Sequence, residues 1–149
     1  MRNIDLDSIL ELSPNQLYSL QRKRGWLMFA FGSVVYWVLR QLGAIPKVYK
    51  GVCEYFEIGN SWGGISLGHF FICDKQCGDY IKCHEIGHCI QNAAVGGVTM
   101  LVYGIASAVR CGWRKVFPSK NSYYDWFFEG DASRIGLAYV EHITSENKE

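Results

Sequence analysis

The sequence has 149 residues, 49% hydrophobic and 15% aromatic, which is enough apolar side chain for one packed core and excludes a largely disordered chain. Its 15 Lys and Arg residues nearly balance 14 Asp and Glu residues, for a formal net charge of +1. This balance argues against a nucleic-acid-binding protein, because such proteins use excess positive charge to neutralise phosphates. We therefore expect a single domain over residues 1–149 that is an enzyme or a binding module.

The N-terminal part, residues 1–46, predicts a helical section. Ser13 can cap a helix that begins at Pro14, and this helix should continue through the uncharged apolar segment 26–39. That segment is shorter than the roughly 20 residues of a helix that spans a bilayer. It fits a buried core helix, or a membrane contact anchored by the basic cluster 22–24.

Two strands are predicted next. Residues 48–58 alternate in polarity and are rich in Val, Tyr and Phe, and residues 65–73 form a second such run. A cluster of Gly, Asn and Ser at 59–64 separates them and indicates a turn. We therefore expect the two runs to pair as a β-hairpin.

Two helices should complete an α+β fold. Asp79 can begin a helix that reaches Ala94, where the glycines at 96–97 stop it, and residues 122–143 fit a final helix. A second uncharged run, 93–109, is interrupted by glycines and is another candidate for membrane contact.

The six cysteines lack the CxxC pairs that structural zinc sites use. Proteins kept in a reducing compartment rarely hold disulfides. We therefore expect buried or half-buried free thiols. They are Cys53, Cys73, Cys77, Cys83, Cys89 and Cys111.

The strongest motif is HExxH, formed by His84, Glu85 and His88 inside the predicted 79–94 helix. Residues four apart lie on one face of a helix, so both imidazoles can reach a single zinc ion. Glu85 lies beside them, where its carboxylate can take a proton from a zinc-bound water and produce a hydroxide nucleophile. The motif therefore predicts two metal ligands and a catalytic base.

A catalytic zinc ion needs a third protein ligand and one open position. Glu129 in the predicted last helix is our first candidate, with Asp131 and Asp125 as alternatives. Small residues follow Glu129 on the same helix face, and they allow this helix to approach another closely. These residues are Ala132, Ser133 and Gly136.

Together, these motifs resemble the gluzincin class of zinc metallopeptidases. Residues 129–133 are most similar to the membrane-associated CAAX-processing and heat-shock peptidases, whose second motif is Glu-x-x-Ala-Asp. Residues 64–68 and 84–91 also resemble small HEYGH-type proteins of bacteria and phages. The resemblance implies a zincin-like fold with the zinc ligands and base named above, and a strand at 65–73 that pairs with an extended peptide substrate.

Ser133 stands where the resembled peptidases have an Asp that orients a zinc-bound His. A serine can form one such hydrogen bond but brings no charge, so we expect weaker retention of zinc. Asp125, one turn before the glutamate ligand, could substitute. Tyr123, Tyr124 and Tyr139 are candidate donors to the oxyanion that forms during hydrolysis, although packing among other apolar side chains is the expected role of each taken singly.

The other two histidines have structural interpretations. His69 falls in the second predicted strand, where packing or simple exposure is the expected role and substrate contact is the alternative. His142 lies near the end of the last helix, where a cation suits the helix dipole.

The sequence favours a zinc metallopeptidase that hydrolyses peptide bonds, with Zn²⁺ as cofactor, a peptide or protein as substrate and no nucleic-acid partner. The alternative is a non-catalytic interaction or assembly protein, zinc-stabilised or metal-free, with or without membrane attachment. A closed site in which Cys83 or Cys89 joins the two histidines would favour it. Acidic residues near the N-terminus are atypical of an export signal, so we expect a location in the cytoplasm or on the cytoplasmic face of a membrane.

Overall fold

The computed structural model describes residues 6–116 and 127–146. Within these ranges the chain adopts an α+β fold, which confirms the predicted class, with helices packed around a four-stranded mixed sheet. The helices are α1 (Leu6–Leu10), α2 (Pro14–Arg24), α3 (Trp26–Gln41), α4 (Asp79–Val95), α5 (Gly97–Val116) and α6 (Phe127–Glu146). The strands are β1 (Lys47–Tyr49), β2 (Cys53–Glu57), β3 (Gly64–Ser66) and β4 (Phe70–Cys73).

Ser13 caps α2, as predicted. Its Oγ accepts a hydrogen bond from the Gln16 amide at 3.4 Å, and the Gln16 side-chain oxygen accepts one from the Ser13 amide at 2.9 Å. This reciprocal pair satisfies two backbone donors that have no partner within the first helical turn.

The single long helix predicted from residue 14 is wrong, because the chain bends at Gly25 and begins α3 at the next residue. A Cβ at Gly25 would overlap the side-chain amide of Asn92 in α4. A larger residue at position 25 would require the Asn92 side chain to move, so glycine fits this close approach of the α2–α3 junction to α4. The tertiary contact that sets the bend comes from a residue distant in sequence, which a local helix pattern does not reveal.

Each predicted strand splits into two, and the predicted hairpin between the two runs is wrong. The first run forms the β1–β2 hairpin through Lys50 and Gly51, whose φ angles are 49° and 73°, as a type I′ turn requires. The second run folds into the antiparallel β3–β4 pair. The sheet order is β1-β2-β4-β3, so β2 lies parallel to β4 and β3 is an edge strand of the described sheet.

Asp74 fixes the loop that precedes β3. Its Oδ2 accepts hydrogen bonds from the Trp62 amide at 3.2 Å and the Gly63 amide at 2.9 Å, and its Oδ1 accepts one from the Gln76 amide at 2.7 Å. These backbone donors, led by Gly63, hold the pKa of Asp74 below its usual value. The loop is thereby held in the position from which Gly64 begins the edge strand.

The helix that carries HExxH, α4, lies at the centre of the fold. It packs against α2, α5 and α6 and against strands β3 and β4, and its side chains from Cys83 to Ala94 are mostly buried. Its start at Asp79 and its end before the two glycines are as predicted, and Gly96 adopts a φ of 89°. The motif is therefore in contact with both the sheet and α6.

The helices α4 and α6 cross with their backbones in contact. A Cβ on Gly87 would overlap the carbonyl oxygen of Ala132, and a Cβ on Gly136 would overlap the carbonyl oxygen of Cys83. Ala132, Ser133 and Gly136 are buried at this crossing, which confirms the predicted close-approach face of the last helix.

The five cysteines whose side chains the structure describes are free thiols, and each is buried or half-buried, as predicted. They are Cys53, Cys73, Cys77, Cys83 and Cys89. The side chain of Cys111 lies outside the described part of the chain.

The two uncharged apolar segments of the sequence lie mainly in α3 and α5, which pack against each other. Among the helices of the described ranges, none combines the length and the apolar character needed to cross a bilayer.

Candidate metal centre

Two histidines from α4 and one glutamate from α6 converge at the helix crossing. His84 and His88 are one helical turn apart, and their Nε2 atoms lie 3.2 Å from each other. The Glu129 Oε2 atom lies 3.2 Å from the His84 Nε2 and 3.3 Å from the His88 Nε2. The three atoms form a nearly equilateral triangle, and this cluster could hold a metal ion.

The hydrogen bonds around His88 determine which of its ring nitrogens carries the proton. The Gln91 Nε2 donates to the Phe128 carbonyl at 3.0 Å, which orients the Gln91 Oε1 towards the His88 Nδ1 at 2.8 Å. An amide oxygen only accepts hydrogen bonds, so the Nδ1 must be the protonated nitrogen. In the neutral ring, the Nε2 lone pair therefore faces the triangle, as metal binding requires.

His84 is oriented by a serine from the opposite helix. Its Nδ1 lies 2.9 Å from the Ser133 Oγ, and the Tyr80 hydroxyl donates to the same Oγ at 3.1 Å. The Ser133 hydroxyl in turn donates to the Glu129 carbonyl at 3.5 Å. With these two hydroxyl donors already placed, the Ser133 oxygen accepts from the His84 Nδ1 and leaves its Nε2 lone pair facing Glu129.

Glu129 is held as a carboxylate. Its side chain is only 2% exposed, and its Oε1 accepts a hydrogen bond from the Ser107 hydroxyl in α5 at 2.6 Å. Burial acts to raise the pKa of Glu129, but its close contacts with the imidazoles of His84 and His88 outweigh it and hold the pKa well below the usual value. Burial acts to lower the pKa of His88, and the bond to Glu129 raises it above its usual value.

Glu85 lies on the side of α4 that faces the sheet. Its Oε2 accepts a hydrogen bond from the Ser66 hydroxyl at 2.8 Å, and its Oε1 lies against Gly64, where a Cβ would be 2.7 Å away. Burial raises the pKa of Glu85 above its usual value, although both motif histidines act in the opposite direction. A carboxylate thus lies between the triangle and the edge strand β3.

The alternative candidates that the structure describes have partners away from the triangle. Tyr139 is fully buried and donates its hydroxyl to the Leu12 carbonyl at 2.8 Å, so it is not available as an oxyanion donor. Asp131 forms a partly exposed ion pair with Arg134 at 3.2 Å instead of joining the triangle. Asp125, Tyr123 and Tyr124 lie outside the described residues.

The closed site with a cysteine ligand is also not formed. The Cys83 Sγ lies 3.7 Å from the Tyr49 hydroxyl, and the Cys89 Sγ lies 3.9 Å from the Phe70 carbonyl. Both thiols point away from the triangle. Cys83 precedes His84 by one residue and Cys89 follows it by five, and these spacings place the two side chains on other faces of α4.

The remaining histidines have structural roles. His69 packs against the rings of Phe29, at a centroid distance of 4.5 Å, and Phe70, and burial lowers its pKa. His142 pairs with Glu146 one turn later, at 3.6 Å.

Four residues around the centre were missed by sequence reasoning. Tyr80 and Gln91 lie four residues before His84 and three after His88, so helical spacing could have identified both as neighbours of the ligands. Ser66 and Ser107 come from β3 and α5, and no local pattern links either residue to the motif.

The arrangement brings two imidazoles and a carboxylate to one point, with the Glu85 carboxyl group beside them. Such a donor set suits a divalent transition metal, and it leaves part of the coordination sphere open for water or substrate. Comparison of the chain with protein-family models, with curated proteins and with solved structures finds no match.

Proposed function

We propose that this protein is a zinc-dependent metallopeptidase with a zincin-like active site. The observation that carries the proposal is the spacing of the triangle formed by His84, His88 and Glu129, whose sides measure 3.2 to 3.3 Å. Ligands about 2.0 to 2.1 Å from a tetrahedral zinc ion are about 3.3 Å apart. The three atoms are therefore spaced as three corners of a zinc coordination tetrahedron, and the fourth corner remains for water.

Glu85 is the proposed general base. The Ser66 hydroxyl holds its Oε2, which leaves its Oε1 to accept a proton from water at the open position and to pass it to the leaving amine. Burial raises the pKa of Glu85, which brings its basicity closer to that needed near neutral pH. Zinc, when bound, would polarise the scissile carbonyl and lower the pKa of the water.

The edge strand β3 is the proposed docking site for an extended peptide. In the described sheet it pairs on one side only, with β4, and Ile65 in its centre is about half exposed. Strand addition at such an edge supplies main-chain hydrogen bonds without regard to sequence. Because Gly64 touches Glu85, a peptide along β3 would pass beside the base.

Metal content tests the proposal directly. We expect about one zinc ion per wild-type chain after purification in the presence of zinc, and a large loss in Glu129→Ala, because two histidines alone leave the coordination incomplete. Mass spectrometry of the metal content is the measurement. Glu141→Ala, an exposed glutamate of the same helix, is the matched control and should keep its zinc. A wild-type chain without zinc would overturn the proposal.

Ser133→Ala should lower zinc affinity about 10- to 100-fold, because the His84 ring loses the group that orients it. Competition with a chelator of known affinity measures the change. Ser33→Ala removes a hydroxyl that bonds only within α3, to the Phe29 carbonyl at 2.8 Å, and should have no effect. Equal affinities for wild type and Ser133→Ala would show that the hydrogen bond does not support the metal.

A further inference from the structure

One side of α5 packs towards the start of α6 and carries a serine to the candidate metal centre. Met100 and Phe128 belong to one buried cluster, and the ring of Tyr103 lies against that of Phe128 at a centroid distance of 4.3 Å. Ser107 follows Tyr103 by four residues, which places it one helical turn further along the same side of α5. The packing of these apolar side chains therefore sets the rotation of α5 that brings the Ser107 hydroxyl to Glu129.

The two oxygens of the Glu129 carboxylate have different partners. Oε2 is the atom that lies 3.2 Å from the His84 Nε2 and 3.3 Å from the His88 Nε2. Oε1 accepts the hydrogen bond from the Ser107 hydroxyl at 2.6 Å, a length typical of bonds between a hydroxyl group and a charged carboxylate. One oxygen thus belongs to the triangle, and the other is bound by a donor from a separate helix.

From this division we propose that Ser107 is a positioning residue, which keeps Glu129 on the metal through Oε2 alone and so keeps the fourth coordination position open for water. A carboxylate can bind a metal ion through one oxygen or through both. A catalytic zinc site reserves one position for water or substrate, and a second oxygen from Glu129 would compete for it. This role rests on the proposed function, because only catalysis needs the open position.

Burial strengthens the effect that the serine has on Glu129. The glutamate is only 2% exposed, so solvent has little access to replace a missing donor. A buried oxygen that loses a hydrogen bond keeps the cost of its desolvation unless it finds another partner. The metal ion is a positively charged partner already bound to the same carboxylate. We therefore expect Oε1 to turn towards the metal when the Ser107 hydroxyl is removed.

Ser107 and Ser133 should affect the centre in different ways. The Ser133 oxygen accepts from the His84 ring and orients a ligand, so its loss should weaken zinc binding. Ser107 instead bonds to the oxygen of Glu129 that is not in the triangle. Its loss should therefore change the coordination geometry and the rate of hydrolysis more than the affinity for zinc.

Ser107→Ala tests the proposal when Co²⁺ replaces zinc, because the visible absorption of Co²⁺ depends on its coordination geometry and is strongest when the ion is four-coordinate. We expect intense bands in wild type and a shifted spectrum with lower intensity in the variant, where Oε1 joins the metal. Zinc affinity, measured by competition with a chelator, should stay close to that of wild type. The kcat for peptide cleavage should fall about 10- to 100-fold.

Two further variants serve as controls. Ser107→Thr keeps the hydroxyl group and should restore the wild-type spectrum and kcat. Ser33→Ala removes a hydroxyl that bonds to the Phe29 carbonyl within α3, away from the centre, and should behave as wild type does. A general loss of helix packing would not be reversed by the threonine, so these controls separate positioning from structural support.

The possible failures are distinguishable from each other. If wild type binds Co²⁺ and Ser107→Ala shows the same spectrum and kcat, the positioning role is overturned and the metallopeptidase proposal stands. If the variant loses zinc affinity but keeps the wild-type spectrum, Ser107 supports binding and not geometry, which also overturns the inference. A wild-type chain that takes up neither zinc nor Co²⁺ would overturn the proposed function and the positioning role together.

Discussion

Glu85→Gln should lower peptide hydrolysis about a hundredfold to ten-thousandfold while about one zinc ion per chain remains bound. The amide keeps the shape of the carboxylate and can still accept the hydrogen bond from Ser66, but it cannot take a proton from water. The three proposed ligand atoms belong to other side chains and are unchanged. Cleavage of an unstructured peptide library, measured beside metal content, gives both quantities from one preparation.

Glu141→Gln, on the exposed side of α6, is the matched control and should retain both activity and zinc. Activity that survives Glu85→Gln would show that another group is the base. Simultaneous loss of zinc would show that Glu85 holds the metal and would contradict the division of roles proposed for the motif.

Gly87→Ala should destabilise the fold by about 3 kcal/mol. The new methyl group would overlap the carbonyl oxygen of Ala132, and because this neighbour is backbone, α4 and α6 must separate. Alanine has the higher helix propensity, worth about 1 kcal/mol, but the overlap outweighs this gain. Separation would also pull Glu129 away from the histidines, so zinc affinity should fall with stability. Chemical denaturation and zinc titration measure the two effects.

Gly104→Ala is the matched control for this change. Gly104 is also in a helix, α5, but a Cβ there would meet no atom within 4 Å. Its replacement should leave stability unchanged or raise it by about 0.5 to 1 kcal/mol. If Gly87→Ala were as stable as Gly104→Ala, the helices would have room to adjust, and the close crossing would not be required for the fold.

The parts of the fold that could be predicted from sequence are those set by local signals. The Ser13 cap, the start of α4 at Asp79 and its stop at Gly96 each depend on residues within a turn of the boundary. The sheet was predicted wrongly because the parallel pairing of β2 with β4 joins residues far apart in sequence. Such pairings leave no local pattern in the sequence. The two-residue turn at Lys50 and Gly51 was also a weaker turn signal than the longer cluster of Gly, Asn and Ser at 59–64.

In the candidate site, too, the residues marked by local sequence signals could be predicted, and those placed only by tertiary contacts could not. His84, Glu85 and His88 are adjacent on one helix, and Glu129 was inferred from the small residues that let its helix approach. The sequence left the role of Tyr139 open between packing and oxyanion donation, because a helix pattern does not tell which neighbour a residue faces, and its partner Leu12 lies at the other end of the chain. Ser66 and Ser107 required the tertiary structure for the same reason.

The distance in sequence between the two parts of the centre has a consequence for synthesis. Glu129 follows His88 by 41 residues, so at about 5 to 20 residues per second the ribosome adds it several seconds after the histidines. During that interval the nascent chain would have two of its three proposed ligands, and we expect it to hold zinc weakly. Under the proposed peptidase function, hydrolysis would begin only after α6 has emerged and packed on α4, and the unfinished chain would not be cleaved by its own centre before then.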